Sequence, residues 1–342
     1  MAPGVITVVV GLVGWPSAEQ ASAPSAASHC SRAVAHGTTQ PSARLPEPFA
    51  ATQAANTEVT ADGGLTPGVF QTNLDGVGGM AFTSIAMPAH APRPGRLGRP
   101  VVSTMFGAGH DKTLSAVVVS LPVTERIEVG LSHQSLHLGS LRSRVGRATT
   151  LDMGTHHVAV ETVSLKYVVV PEGGLSLDWM PAVAVGAHYK RNCEILRINR
   201  KLRGALRWMG VDDDDGIDFT VTASRQFDSP LAGPVLVSGG IRFTESNQTG
   251  FFGFTDGYRA AFEGNISFSI TERLVVGAEY RQKPDRLRRV GSLYRPEDDF
   301  WAIYAGYRID DHLSVGLGWV NLGRVANSRE HAFFGLSVTY GF

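Results

Sequence analysis

The chain has 342 residues, 43% of them hydrophobic, and its 31 basic and 31 acidic side chains cancel. A zero formal charge argues against a nucleic-acid partner, which would require a basic surface to displace counterions. No stretch approaches the roughly 20 apolar residues of a spanning helix, and the mean hydropathy is close to zero, which leaves β-barrels open because their strands mix lipid-facing and polar residues.

Val5–Trp15 is a short apolar run followed by small residues ending in Ala21-Ser22-Ala23. It predicts a signal peptide over 1–23, although Met1–Gly4 lacks the usual basic residue. Residues 24–75 are rich in Ala, Ser, Thr, Pro and Gln and low in aromatics, so they are expected to be flexible. Cys30 and Cys193 belong to no CxxC or Cys/His spacing, so neither a metal nor a cofactor is expected. A glycine-rich run around 76–82 (GVGGMAF) opens the ordered part, residues 76–342, and a Pro/Arg/Gly connector follows over 92–100.

From Val101 the hydrophobic period is two. At the end of the chain Phe334, Leu336, Val338, Tyr340 and Phe342 alternate with Gly335, Ser337, Thr339 and Gly341. The same alternation predicts twelve strands, near 101–109, 113–121, 127–136, 156–169, 178–190, 216–227, 234–246, 258–270, 274–282, 299–309, 312–321 and 333–342. Their lengths suit tilted membrane strands. Aromatics gather near strand ends, among them Phe227, Tyr280, Trp301, Tyr307 and Trp319, as interfacial girdles require. Apart from the short tip at His110–Lys112, tight and long connections alternate, which puts both ends of the barrel domain on the tight-turn side. The expected fold is an all-β, transmembrane, antiparallel up-and-down barrel in the Gram-negative outer membrane.

Inward positions then carry Glu128, His188, Lys190, Asp218, Arg242, Glu263, Glu279, Arg281 and Arg308. These either line a selectivity-setting path or pair into an interior network. The aromatic Phe342 matches the C-terminal signal that barrel assembly machinery reads. Asp212–Asp215 with Gly216 fails the calcium-loop pattern, since Val211 and Thr222 stand where acids are needed. Ile195–Met209 places Ile195, Ile198, Leu202, Leu206 and Met209 on one helical stripe among five basic residues. That segment suits either a surface helix against lipopolysaccharide or a basic loop neutralised by the Asp run. His133, His137, His156 and His157 lie near strand ends, but no nucleophile-elbow motif accompanies them, and no catalytic residue is assigned. An outward Val276→Arg is expected to be costly and the neighbouring inward Gly277→Ser mild.

The runs PAVAVGAHYK (181–190), DDGIDFTVTASRQF (214–227), VSGGIRFTESNQTGFFGF (237–254), LVVGAEYRQKPD (274–285), PEDDFWAIYAGY (296–307) and HLSVGLGWVNLG (312–323) resemble an uncharacterised bacterial family, domain of unknown function 3034. The resemblance implies an outer-membrane barrel and supplies no enzyme mechanism, substrate or cofactor. Two functions follow as expectations: a channel or transport protein for small polar solutes, or a closed barrel with a structural or surface-interaction role. An outer-membrane hydrolase is a distant third. The expected partners are outer-membrane lipid, lipopolysaccharide and the assembly machinery, and nothing in the sequence indicates an oligomeric state.

Overall fold

The computed structural model describes residues 72–90, 97–229, 233–291, 293–295, 297–326 and 328–342. The signal peptide and nearly all of the segment expected to be flexible lie outside these residues. Twelve antiparallel strands form a closed barrel. In chain order they are β1 (Val101–Ala108), β2 (Thr113–Pro122), β3 (Ile127–His137), β4 (His157–Val170), β5 (Ala182–Asn192), β6 (Asp215–Phe227), β7 (Val235–Ser246), β8 (Phe254–Ser269), β9 (Leu274–Arg281), β10 (Phe300–Arg308), β11 (Leu313–Asn321) and, after a small hairpin, β14 (Phe333–Gly341). Each strand pairs with its sequence neighbour, and β1 closes the wall against β14 from Val101↔Gly341 to Ala108↔Phe334.

The register follows from the alternation. Outward Phe334, Leu336, Val338 and Tyr340 are exposed, whereas inward Ser337 and Thr339 are buried. A continuous outer band of large apolar side chains is intolerable in water and favourable in hydrocarbon. Aromatics rim it on both sides: Tyr189, Tyr258, Tyr280 and Trp301 towards the long loops, and Tyr167, Phe227, Tyr307, Tyr340 and Phe342 towards the short turns. Closure leaves no strand edge unpaired, as a bilayer demands. The protein is an outer-membrane β-barrel, with the short turns periplasmic and the long loops external.

Strand boundaries depart from expectation by more than two residues in two places. β5 begins at Ala182 rather than near 178, because Leu175 and Ser176 adopt positive φ in a turn that uses up the intervening residues. β8 extends back to Phe254, which pairs with Ser246 across a register shift.

The external loops fold into a cap. It contains α1 (Leu141–Thr149), α2 (Ile195–Lys201), α3 (Ala205–Met209) and a hairpin of β12 (Arg324–Val325) and β13 (Ser328–Arg329). The single stripe expected over 195–209 is broken at Arg203 and Gly204, whose φ values are 54° and 85°. Ile195, Ile198 and Leu202 are buried in the cap's apolar core with Leu141, Val145 and Phe252. The stripe is therefore consumed inside the protein, which sets aside the surface-helix alternative of the two expected for this segment. The core continues into the outer half of the bore through Val118, Val158, Phe300 and Phe333.

The bore is filled by residues 72–90. Thr72–Asp75, the last four residues of the segment expected to be flexible, are buried inside it, and the glycine-rich run does not join the wall. This loop enters beside Ser103 of β1, where the Thr72 hydroxyl donates to Ser103 Oγ at 2.7 Å. It rises until the Phe82 ring stacks on Phe300 at 5.1 Å. It then returns to the periplasmic half, where the Ala89 N–H donates to Glu128 at 2.8 Å. Gly76 has φ +91° and presses so closely on Gly130 that a Cβ at either position would collide with backbone. Glycine is required there both for the conformation and for the approach.

Candidate functional site

Five consecutive strands each contribute one charge at similar height: Lys190 from β5, Asp218 from β6, Arg242 from β7, Glu263 from β8 and Arg281 from β9. The signs alternate. Lys190 Nζ lies 2.9 Å from Asp218, Arg242 lies 3.2 Å from Asp218 and 3.0 Å from Glu263, and Arg281 lies 3.8 Å from Glu263. This ladder has three bases and two acids. The bore loop supplies the third acid: Asp75 lies 2.7 Å from Lys190 and 2.8 Å from Arg242. Remaining acceptor capacity on Asp218 takes hydrogen bonds from the Thr244 and Ser246 hydroxyls.

Two further carboxylates hold the loop by its backbone. Glu128 accepts from the N–H groups of Gly78 and Ala89 and from the Ser120 hydroxyl, and pairs with Lys166 at 2.6 Å. Lys166 in turn donates to the carbonyls of Gly78, Ile85 and Met87. Glu279 accepts from the Phe82 and Thr83 N–H groups at 3.0 and 3.1 Å and from the Thr83 hydroxyl, while Arg281 donates to the Phe82 carbonyl. His188 bridges Ser164 (2.8 Å) and Thr220 (3.2 Å), and Ser164 donates to the Asp75 carbonyl. Lys190, Arg242, His188 and Glu128 are all at 0% exposure. A water-filled pore would leave such side chains accessible, so the bore is closed at this height in this state.

The structure thus gathers eight of the nine predicted inward residues around one loop. Arg308 stands apart at the periplasmic rim, where it donates to the Glu272 carbonyl. Sequence reasoning missed Lys166 and Asp75. Lys166 has the same parity as Ser164, between outward Leu165 and Tyr167, so alternation alone would have found it. Asp75 opens the glycine run, but nothing local shows that this run enters the barrel. Phe342 is exposed, its N–H donates to the Pro100 carbonyl, and its ring packs edge-on against Tyr340 at 5.0 Å.

The histidines are dispersed. His133 faces Glu161 at 3.7 Å on the outer wall, and His156 stacks on His137 while contacting Arg142. In the Asp run, Asp212 accepts from the Asp256 N–H, Asp214 pairs with Arg191 at 3.5 Å, and Asp215 accepts from Tyr189.

Under the cap, the loop after β9 buries Lys283 and Glu297 4.0 Å apart. Lys283 donates to the Leu322 carbonyl at 2.6 Å and lies over the Phe300 ring at 4.4 Å. Burial draws the Lys283 ammonium down to about 8 and pushes the Glu297 carboxyl up to about 8. Burial also raises the nearby Tyr294 phenol, which donates to Asp285.

Among solved structures, the KdgM porin is 10% identical with a TM-score of 0.43, covering 71% of this chain and 99% of that one. The outer membrane protein Omp33 of Acinetobacter baumannii is 10% identical with a TM-score of 0.40, covering 72% and 99%. The outer membrane phospholipase A of Escherichia coli is 8% identical with a TM-score of 0.35, covering 71% and 92%. No curated protein sequence matches the chain. A family described as protein of unknown function (DUF3034) matches residues 66–339, and the chain belongs to that family.

Proposed function

We propose that this barrel is a gated channel for small polar solutes, closed here by the bore loop. One observation carries the reading: beside apolar contacts through Leu74, Met80, Phe82 and Ala86, the loop is held by buried ion pairs and carboxylate–amide bonds. A twelve-stranded bore is too wide for wall side chains to fill alone. A permanent filling is served as well or better by apolar packing, since buried ion pairs are often replaced by hydrophobic residues without loss. A polar interface, by contrast, rehydrates when it parts and leaves a lumen lined by charges of both signs. Entry and exit on the periplasmic half let the loop withdraw without threading the barrel. Lipid surrounds the outer band and lipopolysaccharide the external rim in this reading, and Phe342 serves as the assembly signal.

The second reading, a permanently closed barrel with a structural or surface role, has the external cap in its favour. Single-channel recording separates the two. Thr72→Cys with Ser103→Cys, in a background carrying Cys30→Ser and Cys193→Ser, places two thiols where hydroxyls now lie 2.7 Å apart. The oxidised protein should be silent in a planar bilayer and the reduced protein should show discrete openings. A folded, inserted barrel that stays silent after reduction, whether or not deletion of residues 72–90 opens it, would establish the closed barrel.

A further inference from the structure

The cap encloses a second feature that the channel reading does not use. Between α1, α2, α3 and the loop after β9 lies a cavity of about 200 Å³. Val145, Leu151, Ile198, Leu206, Met209 and Leu293 are among the side chains that line it, and nearly all of its wall is apolar. We infer that this cavity binds a small apolar molecule, an aromatic ring or short alkyl group, taken from the external medium.

Four observations support the inference. First, the size is right: a dry apolar cavity of about 150 Å³ holds benzene, so this one holds roughly eight non-hydrogen atoms. Second, the lining offers water too few partners to make it a good occupant, since a buried water requires two to four polar groups. Third, the cavity persists within a cluster of flexible aliphatic residues that would gain dispersion contacts by closing over it. Two short helices joined through the left-handed Arg203 and Gly204 hold its roof in place. Fourth, the mouth faces outward. Thr149, Ala205 and Trp208 line the cavity and are exposed, and all three belong to external loops, not to the lipid-facing wall. Trp208 carries the Arg288 guanidinium over its ring at 5.7 Å, which leaves an aromatic face and a cation at the entrance.

This inference stands apart from the gating proposal, since no residue of the ion-pair ladder lines the cavity. The probe is para-fluorotoluene, followed by fluorine NMR with the full-length barrel in lipid nanodiscs. Empty discs serve as the blank for partition into lipid. Added aromatic volume at Ala205 fills the cavity from α3, and Leu206→Phe does so from the next position. Wild type should show saturable binding that either variant weakens by about tenfold or more, while heat-modifiable gel migration shows the barrel intact. The Trp208 emission should respond to the probe in wild type only. Binding that is no stronger in wild type than in both folded variants would overturn the assignment. If Ala205→Phe does not fold, Leu206→Phe alone decides it.

Discussion

Neutralising Asp75 perturbs the bore at its most heavily charged point. In wild type the ladder's three bases face Asp218, Glu263 and Asp75, and Asp75→Asn leaves one buried cation without its counter-charge. Removing one partner of a buried pair costs about 3–5 kcal/mol, because the surviving charge stays desolvated. That penalty applies only while the loop is seated, since withdrawal lets water reach Lys190 and Arg242. The equilibrium between seated and withdrawn loop should therefore shift by roughly a hundred- to several-thousand-fold, at about 1.4 kcal/mol per factor of ten. Ser84→Cys reports this directly: Ser84 lies on the loop and is buried, so a thiol there reacts only when the loop moves. Labelling by a polar maleimide, with Cys30 and Cys193 replaced by Ser, should accelerate by that factor in Asp75→Asn. Adding Lys190→Met removes one base, restores two acids against two bases, and should slow labelling again. Unchanged labelling in Asp75→Asn would refute the claim that the ladder holds the loop.

Further outcomes follow from the wall, the cap and the chain end. Val276→Arg, on the lipid face, should cost about 2–4 kcal/mol in urea unfolding from vesicles, whereas inward Ser337→Ala should stay within about 1 kcal/mol; equal costs would refute the register. Gly277→Ser is no mild control, contrary to the expectation from alternation, because a Cβ there would lie 2.4 Å from both the Ile266 carbonyl oxygen and Tyr304 Oη. Glu297 has a folded-state value near 8 against an ordinary 4.5, so its protonated form favours the folded cap. That contribution is fully present below about 4.5 and lost as pH rises through about 8. Amide protection in the loop after β9, with the rates corrected for base-catalysed intrinsic exchange, should fall over that window, and Glu297→Gln should flatten the dependence; a fall that survives the substitution assigns it to another group. Phe342→Ala should lower the yield of heat-modifiable barrel in the outer membrane without destabilising barrel already formed, and an unchanged yield would remove its role in assembly.

The wall was legible because a strand's side chains alternate by geometry, so lipid-facing Leu336 and lumen-facing Ser337 identify each other's faces. What the alternation could not reveal was the bore loop. Residues 72–90 have no period, and their partners lie far off in sequence: Phe82 meets Glu279 across 197 positions. Composition alone made Asp75 part of a flexible tail. Arg308 shows the complementary limit, for parity aims it inward but its place at the last position of β10 lets it bond a turn carbonyl instead. The stripe over 195–209 was read correctly as amphipathic, but the surface it meets is a cap core assembled from four other loops, which no local pattern contains.

The cap and the bore loop also share atoms, which bears on how opening would proceed. Leu74 and Phe82 of the loop belong to the same buried cluster as Leu141, Ile198 and Phe252 of the cap. The loop thus has a polar grip through its ion pairs and an apolar grip through Leu74, Met80, Phe82 and Ala86. Withdrawing it strips Phe82 from Phe300 and uncovers the underside of the cap core. Phe82→Ala should then loosen both at once. Truncating a buried Phe costs about 3–5 kcal/mol, and the figure here should fall toward the lower end, because a cavity of about 70 Å³ already adjoins Phe82 and Phe333. Labelling at Ser84→Cys and amide exchange in α1 and α2 should rise together in this variant. Faster labelling with an unchanged cap would mean that the two closures open independently, and that a solute entering from outside must pass the cap by some motion of its own.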